Sequence, residues 1–140
     1  MSEGKVGGVI VSHGQLANEL LAAAETVIGD TDSIAAVSIG WHDDVEAARA
    51  EIERAIKSVS AGSGVLLMTD MFGGTPTNIS AMFLAEGKVE IVTGVNLPMV
   101  IRFASRADGS SLSEIAREVE DQGKQSIYRT AALFEPARSK

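Results

Sequence analysis

The chain has no cysteine, and it is poor in histidine, proline and aromatic residues. Its 140 residues include two histidines, three prolines, one tryptophan, one tyrosine and four phenylalanines. Without thiols, disulfides, thiolate catalysis and zinc–sulfur sites are excluded. Any histidine chemistry must therefore fall on His13 or His42.

Basic residues and long apolar runs are also scarce. The chain has 12 Lys and Arg against 19 Asp and Glu, and the resulting net charge of −7 repels a nucleic-acid backbone. No apolar run approaches the roughly 20 residues that cross a bilayer, and the first residues lack the apolar region of a secretory signal. We therefore expect a cytoplasmic protein with no nucleic-acid partner and no transmembrane segment. The length predicts a single domain over residues 1–140.

Apolar residues alternate between two periodicities along the chain. Short β-branched runs predict strands over residues 6–12, 33–39, 64–70 and 89–93. Helical spacing predicts helices over 16–28 and 45–59, and further helices capped by Thr75, opened by Pro98 and begun by the capping box of Ser111 and Glu114, the last ending near Gly123. Because strands separated by helices form parallel βαβ units, we predict a small doubly wound α/β domain with a four-stranded sheet in the order 2-1-3-4. Residues 127–134 are apolar enough for a further edge strand.

Chemically informative residues follow the first and third predicted strands. His13 comes directly after the first strand, and Asp70 ends the third. In this strand order the two ends are neighbours, so a carboxylate can accept the proton of one imidazole nitrogen and leave the other as a nucleophile. The alternative is that His13 is structural and that Asp70 only caps a turn.

A glycine-rich loop follows Asp70 and opens the next helix. Gly73 and Gly74 permit an unusual backbone, the helix that follows offers free N–H groups, and Thr75 adds a hydroxyl, so these three are the predicted phosphate-binding residues. No lysine or arginine occurs in either cluster. Neutral donors stabilise a transferring phosphoryl group without trapping the intermediate, which favours reversible phosphoryl transfer on imidazole, with no cofactor and no metal.

Other phosphate and metal motifs fit poorly. The loop lacks the lysine of a Walker motif, and a receiver domain needs acidic residues where this chain has Ser12 and His13. The adjacent residues His42, Asp43 and Asp44 cannot easily converge on one ion, so helix capping and solvent exposure are their expected roles. Trp41 beside them is either a packing residue or part of a contact surface.

Three stretches together resemble the enzyme IIA domains of the mannose family of the bacterial phosphoenolpyruvate-dependent sugar phosphotransferase system (PTS). They are residues 9–14 (VIVSHG), 66–78 (LLMTDMFGGTPTN) and 91–99 (IVTGVNLPM). The resemblance implies that His13 receives a phosphoryl group from the phosphohistidine of the protein HPr and passes it to a IIB protein. It also implies that Asp70 orients His13, and that Gly74 and Thr75 contact the phosphoryl group.

The resemblance further implies a homodimer in which residues 127–134 complete the sheet of the partner. Because the sequence ends at Lys140, we expect the IIB acceptor to be a separate protein. Met71, Phe72 and Met99 are either a docking surface for partner proteins or core residues. The stretch from Trp41 to Asp44 has no counterpart that we can match, and it suggests a different partner or a regulatory use.

Two other functions remain open at this point. One is a IIA-like subunit that donates phosphoryl groups to a dihydroxyacetone kinase, although the Gly-Gly-Thr-Pro loop favours the mannose family. The other is a regulatory module that reports its phosphorylation state. A transport role would place the protein in the cytoplasm, associated peripherally with a membrane permease.

Overall fold

The computed structural model describes residues 4–40, 44–85 and 88–134. Its strands are β1 (Gly7–His13), β2 (Ile34–Ile39), β3 (Val65–Thr69) and β4 (Val89–Thr93). Its helices are α1 (Leu16–Ile28), α2 (Val45–Val59), α3 (Gly74–Ser80), α4 (Leu97–Ala104), α5 (Leu112–Gln125) and α6 (Thr130–Leu133), and a 3-10 turn, Ala81–Phe83, extends α3. Trp41, His42 and Asp43 lie outside the described residues.

The strands form one parallel sheet in the order β2-β1-β3-β4, which confirms the predicted topology. Every residue of β3 is buried, as expected for a central strand covered on both faces. Alternate residues of the sheet face opposite cores. Ile10 and Leu66 pack with α1, α4 and α5, whereas Val9, Val11 and Leu67 pack with α2 and α3.

The helix ends show which local predictions were right. Asp44 caps α2 by accepting a hydrogen bond from the backbone N–H of Glu46, and the predicted capping box of Ser111 and Glu114 is present at α5. Thr75 is not a cap, because α3 already begins at Gly74 and its cap residue is Gly73. Helix α5 runs to Gln125, two residues past the predicted end, because the buried Gly123 lies under Met99 and keeps a helical backbone.

The predicted C-terminal edge strand, expected to pair with a second copy in a dimer, does not form in the single chain. The described part of the segment, 127–134, contains no strand and ends in the single turn α6. Its backbone closes local hydrogen bonds, from Ala132 N–H to the carbonyl of Arg129 and from Phe134 N–H to that of Ala131. A strand needs a neighbouring strand to hydrogen-bond with, and this segment has none among the described residues. Ile127 and Phe134 are consequently 78% and 77% exposed.

One buried cation closes the end of the sheet opposite the carboxyl ends of the strands. Arg106 donates hydrogen bonds to the carbonyls of Val6 and Phe103 and to the hydroxyl of Ser33. Burial lowers the pKa of Arg106 from its usual value, and the nearby Asp108 and Asp30 act in the opposite direction.

None of the described helices is long and apolar enough to cross a membrane.

Candidate active site

The sheet register brings His13 and Asp70 together. His13 ends β1, and Asp70 follows the last residue of the adjacent strand β3. Oδ2 of Asp70 accepts a hydrogen bond from the backbone N–H of His13 at 2.9 Å and lies 2.8 Å from its ring Nδ1. A single carboxylate oxygen therefore holds both the backbone and the side chain of His13.

This contact determines which imidazole nitrogen is free. A carboxylate can only accept, so in the neutral imidazole Nδ1 carries the proton and Nε2 keeps its lone pair. The His13 side chain is 50% exposed, whereas that of Asp70 is only 11% exposed. The pair thus combines an accessible nitrogen nucleophile with a largely buried orienting carboxylate.

Gly74 lies against the free side of the imidazole ring. A Cβ atom on Gly74 would stand 3.4 Å from Nε2 and 3.2 Å from Cε1 of His13. Gly73 and Gly74 adopt φ angles of +81° and +79°, which favour glycine. The loop reaches this close to the ring because Gly74 carries no side chain. Thr75 follows at the exposed start of α3.

A buried serine, which the sequence did not single out, holds the loop after β1. The Ser12 hydroxyl accepts a hydrogen bond from the backbone N–H of Ala17 at 2.6 Å and donates one to the carbonyl of His13 at 3.1 Å. It replaces a conventional cap on α1, because Gln15 at the cap position makes no side-chain hydrogen bond to the helix. The available signal was a polar residue inside an otherwise apolar strand.

The electrostatics of the site are set by Asp70 rather than by a cation. Across the described ranges, no ion pair joins a lysine or arginine to His13 or Asp70. Oδ1 of Asp70 is buried without a hydrogen-bond partner in this part of the chain. Both hydrogen bonds that the described residues make to this carboxylate come from His13, and both reach Oδ2.

The structure distinguishes the two alternatives, docking surface or core, for the apolar residues Met71, Phe72 and Met99. Met71 and Phe72 are 52% and 85% exposed, on the loop that carries Asp70. Met99 is a core residue, buried in the cluster that α4 and α5 share. Of these three residues, only Met71 and Phe72 therefore present exposed apolar surface.

A profile of the family described as "PTS system fructose IIA component" matches residues 7–120. The chain belongs to this mannose-type EIIA family. It is 26% identical over 132 residues to the PTS system fructose-specific EIIA component of Bacillus subtilis, covering 94% of this chain and 90% of that protein. It is also 29% identical over 126 residues to the PTS system mannose-specific EIIAB component of Escherichia coli K12, covering 85% of this chain and 38% of that longer protein.

Solved structures agree with this assignment. The mannose/sorbose-specific IIA subunit of Enterococcus faecalis superposes with a TM-score of 0.78 at 28% identity, covering 89% of this chain and 94% of that one. A PTS IIA protein associated with the fucose utilization operon of Streptococcus pneumoniae has the same fold, with a TM-score of 0.82 at 23% identity over 95% of this chain and 98% of that one. The chain is an EIIA component of the sugar phosphotransferase system, whose EIIA components carry out phosphoryl transfer.

Proposed function

We propose that this EIIA domain carries a phosphoryl group on Nε2 of His13, accepting it from the phosphohistidine of HPr and passing it to a IIB protein. The observation that carries the proposal is the 2.8 Å contact between Asp70 Oδ2 and His13 Nδ1. That contact holds the proton on Nδ1, away from Gly74, and leaves the lone pair of Nε2 on the side of Gly74.

The transfer needs no proton movement. The Nε2 lone pair of His13 forms a bond to phosphorus as the N–P bond of the donor histidine breaks, and the donor nitrogen keeps the electron pair. The ring of His13 becomes more positive in this step, and the carboxylate of Asp70 opposes that change. In the second transfer, the IIB acceptor forms a bond to phosphorus as the N–P bond of His13 breaks, and Nε2 keeps the electron pair.

Gly73, Gly74 and Thr75 are the proposed phosphate-binding residues. The support is the place of Gly74 beside Nε2, the positive φ angles of Gly73 and Gly74, and the position of Thr75 directly after them at the start of α3. Backbone amides and the Thr75 hydroxyl are neutral donors. They stabilise the transferring group without the strong attraction of a lysine or arginine, which suits a carrier that must release its cargo.

We further propose that residues 1–140 form a single domain that acts as a homodimer, in the cytoplasm and peripherally at a permease. Ile127 lines a groove of about 510 Å³ together with residues of β4 and α5. The outer edge of β4 has no neighbouring strand within the described chain. The segment 127–134 of a second copy would supply one, and sedimentation equilibrium of the full chain measures whether the mass is that of a dimer.

The decisive experiment is phosphorylation by phosphoenolpyruvate, enzyme I and HPr. We expect an acid-labile phosphohistidine on the wild-type protein and on His42→Ala, and none on His13→Ala. Equal labelling of His13→Ala would contradict the proposal. Adding a IIB protein should discharge the label, whereas a labelled protein that no IIB discharges would be a regulatory module instead.

A further inference from the structure

Two buried hydroxyls lie beneath the loop that joins Asp70 to Gly74. Thr69 is the last residue of β3 and is fully buried, and Thr77 lies in α3 with 9% exposure. The Thr77 hydroxyl is hydrogen-bonded to the carbonyl oxygen of Met71 at 2.5 Å and to the hydroxyl of Thr69 at 2.7 Å. These contacts connect the two ends of the loop.

The two hydrogen bonds of the Thr77 hydroxyl, to Met71 and to Thr69, form a clamp on the loop. Thr69, at the base of the clamp, is also fixed through its backbone. The carbonyl of Thr69 accepts a hydrogen bond from the backbone N–H of Val95 at 2.8 Å, so Thr69 is held through its backbone as well as its hydroxyl. Thr77 therefore anchors α3 to the rigid end of β3. The residues between these anchors include Asp70 and Gly74, which contact His13 from two sides.

The loop needs such an anchor because its glycines do not restrict it. Gly73 and Gly74 have no side chains and can adopt many backbone conformations. The clamp closes residues 69–77 into a short loop, so it limits the positions that Gly74 can reach relative to Nε2. A buried hydroxyl without partners would be unfavourable, whereas here both contacts of Thr77 are used.

We propose that Thr77 is a positioning residue for phosphoryl transfer, and that its hydroxyl, bonded to Met71 and Thr69, keeps the loop in register with His13. This inference rests on the proposed function. It assigns Thr77 no contact with the phosphoryl group. A residue that only fills the core acts through its side-chain volume, whereas Thr77 would affect the transfer rate through its hydroxyl.

The test compares substitutions on one helix. Thr77→Val keeps the volume and removes the hydroxyl, and Thr77→Ser keeps the hydroxyl. Ser80→Ala is the matched control, because Ser80 is a fully buried residue of α3 whose hydroxyl has no partner among the described residues. The measurements are the single-turnover rate of transfer from phospho-HPr to the full-length protein, and amide hydrogen exchange followed by NMR.

We expect Thr77→Val, which loses both hydrogen bonds of the Thr77 hydroxyl, to transfer about 10-fold more slowly. Its Asn78 and Ile79 amides, which follow the unbonded first turn of α3, should exchange faster while those of β1 and β3 keep their protection. Thr77→Ser should return to within about 3-fold of the wild-type rate, and Ser80→Ala should match the wild type. Thr69→Val leaves the hydrogen bond between Thr77 and Met71 in place, so it should reduce the transfer rate less. It replaces Thr77→Val in the test if that variant does not fold.

Equal rates for Thr77→Val and the wild type would overturn the inference. So would a loss that Thr77→Ser does not restore, or faster exchange spread over the whole sheet, since both describe a residue that only stabilises the fold. A wild-type protein that takes no label on His13 would refute the proposed function instead. The local change in Asn78 and Ile79 exchange would still decide whether Thr77 holds the loop.

Discussion

Replacing Gly74 with alanine tests the site most directly, because the added atom has a defined position. The Cβ would stand 3.4 Å from Nε2 of His13, on the side where the phosphoryl group must bond. It would also strain the backbone, since Gly74 has a φ of +79°. We expect the variant to fold and to lose most of its phosphoryl-transfer activity.

The two effects of Gly74→Ala differ in size. A non-glycine residue in the left-handed region costs about 1–2 kcal/mol. Even a domain with only about 5 kcal/mol of stability would keep about 3 kcal/mol, so fewer than about one molecule in 100 would be unfolded. The steric effect is larger in rate, because displacing a reacting group by about 1 Å can slow a reaction about 100-fold.

Gly73→Ala is the matched control for Gly74→Ala. Gly73 has a φ of +81° and a ψ of −179°, so alanine is strained there at least as much. However, a Cβ on Gly73 would meet nothing within 4 Å. Stopped-flow or quench measurements of transfer from phospho-HPr, with thermal unfolding of each variant, separate strain from obstruction. Equal rates for the two variants at equal folded fractions would refute the placement of the phosphoryl group beside Gly74.

Two further substitutions probe the carboxylate and the far end of the sheet. Asp70→Asn keeps an acceptor for His13 but removes the charge, so transfer should slow about 10- to 100-fold, the worth of a charge-assisted hydrogen bond; an unchanged single-turnover rate would leave Asp70 a structural residue. Arg106→Met strips the buried carbonyls of Val6 and Phe103 of their donor and should reduce the free energy of unfolding by about 2–4 kcal/mol. Urea titration gives the folded fraction, and the transfer rate per folded molecule should stay at the wild-type value because Arg106 lies at the opposite end of the sheet from His13. A lower transfer rate per folded molecule would contradict this independence of stability and activity.

The pairing of His13 with Asp70 was predictable because it follows from strand order alone. Strong apolar runs defined β1 and β3, and the carboxyl ends of adjacent parallel strands lie at one edge of the sheet. Once the order 2-1-3-4 is given, residues directly after those strands become neighbours. The sequence therefore predicted the contact without predicting that one oxygen of Asp70 makes both hydrogen bonds.

The hydroxyls around the site could not be predicted in the same way. Ser12 and Thr77 acquire their roles from partners that differ from one position to the next, such as the amide of Ala17 and the carbonyl of Met71. Neither has a fixed spacing that a pattern would detect. Met99 was ambiguous for a related reason, since an apolar residue near a loop is a core residue only if a close neighbour such as Gly123 gives it space.

The C-terminal segment shows the limit of reading a strand from apolar content. Residues 127–134 gain little by becoming extended unless another strand supplies hydrogen bonds, so in the single chain they close a helical turn. Whether these residues form a strand is therefore decided by a neighbouring strand and not by local propensity alone.

The arrangement of Asp70 explains how a neutral pocket can still favour transfer. Its Oδ2 fixes His13 through the backbone N–H and Nδ1 together, so the position of the ring follows from the register of β1 against β3. The carboxylate attraction grows as the ring becomes more positive during bond formation at Nε2, which makes it stronger in the transition state than with free imidazole. Under the proposed function, such a carrier gains speed from a group that never touches the phosphoryl, and the phosphoryl pocket itself can remain uncharged and release its cargo.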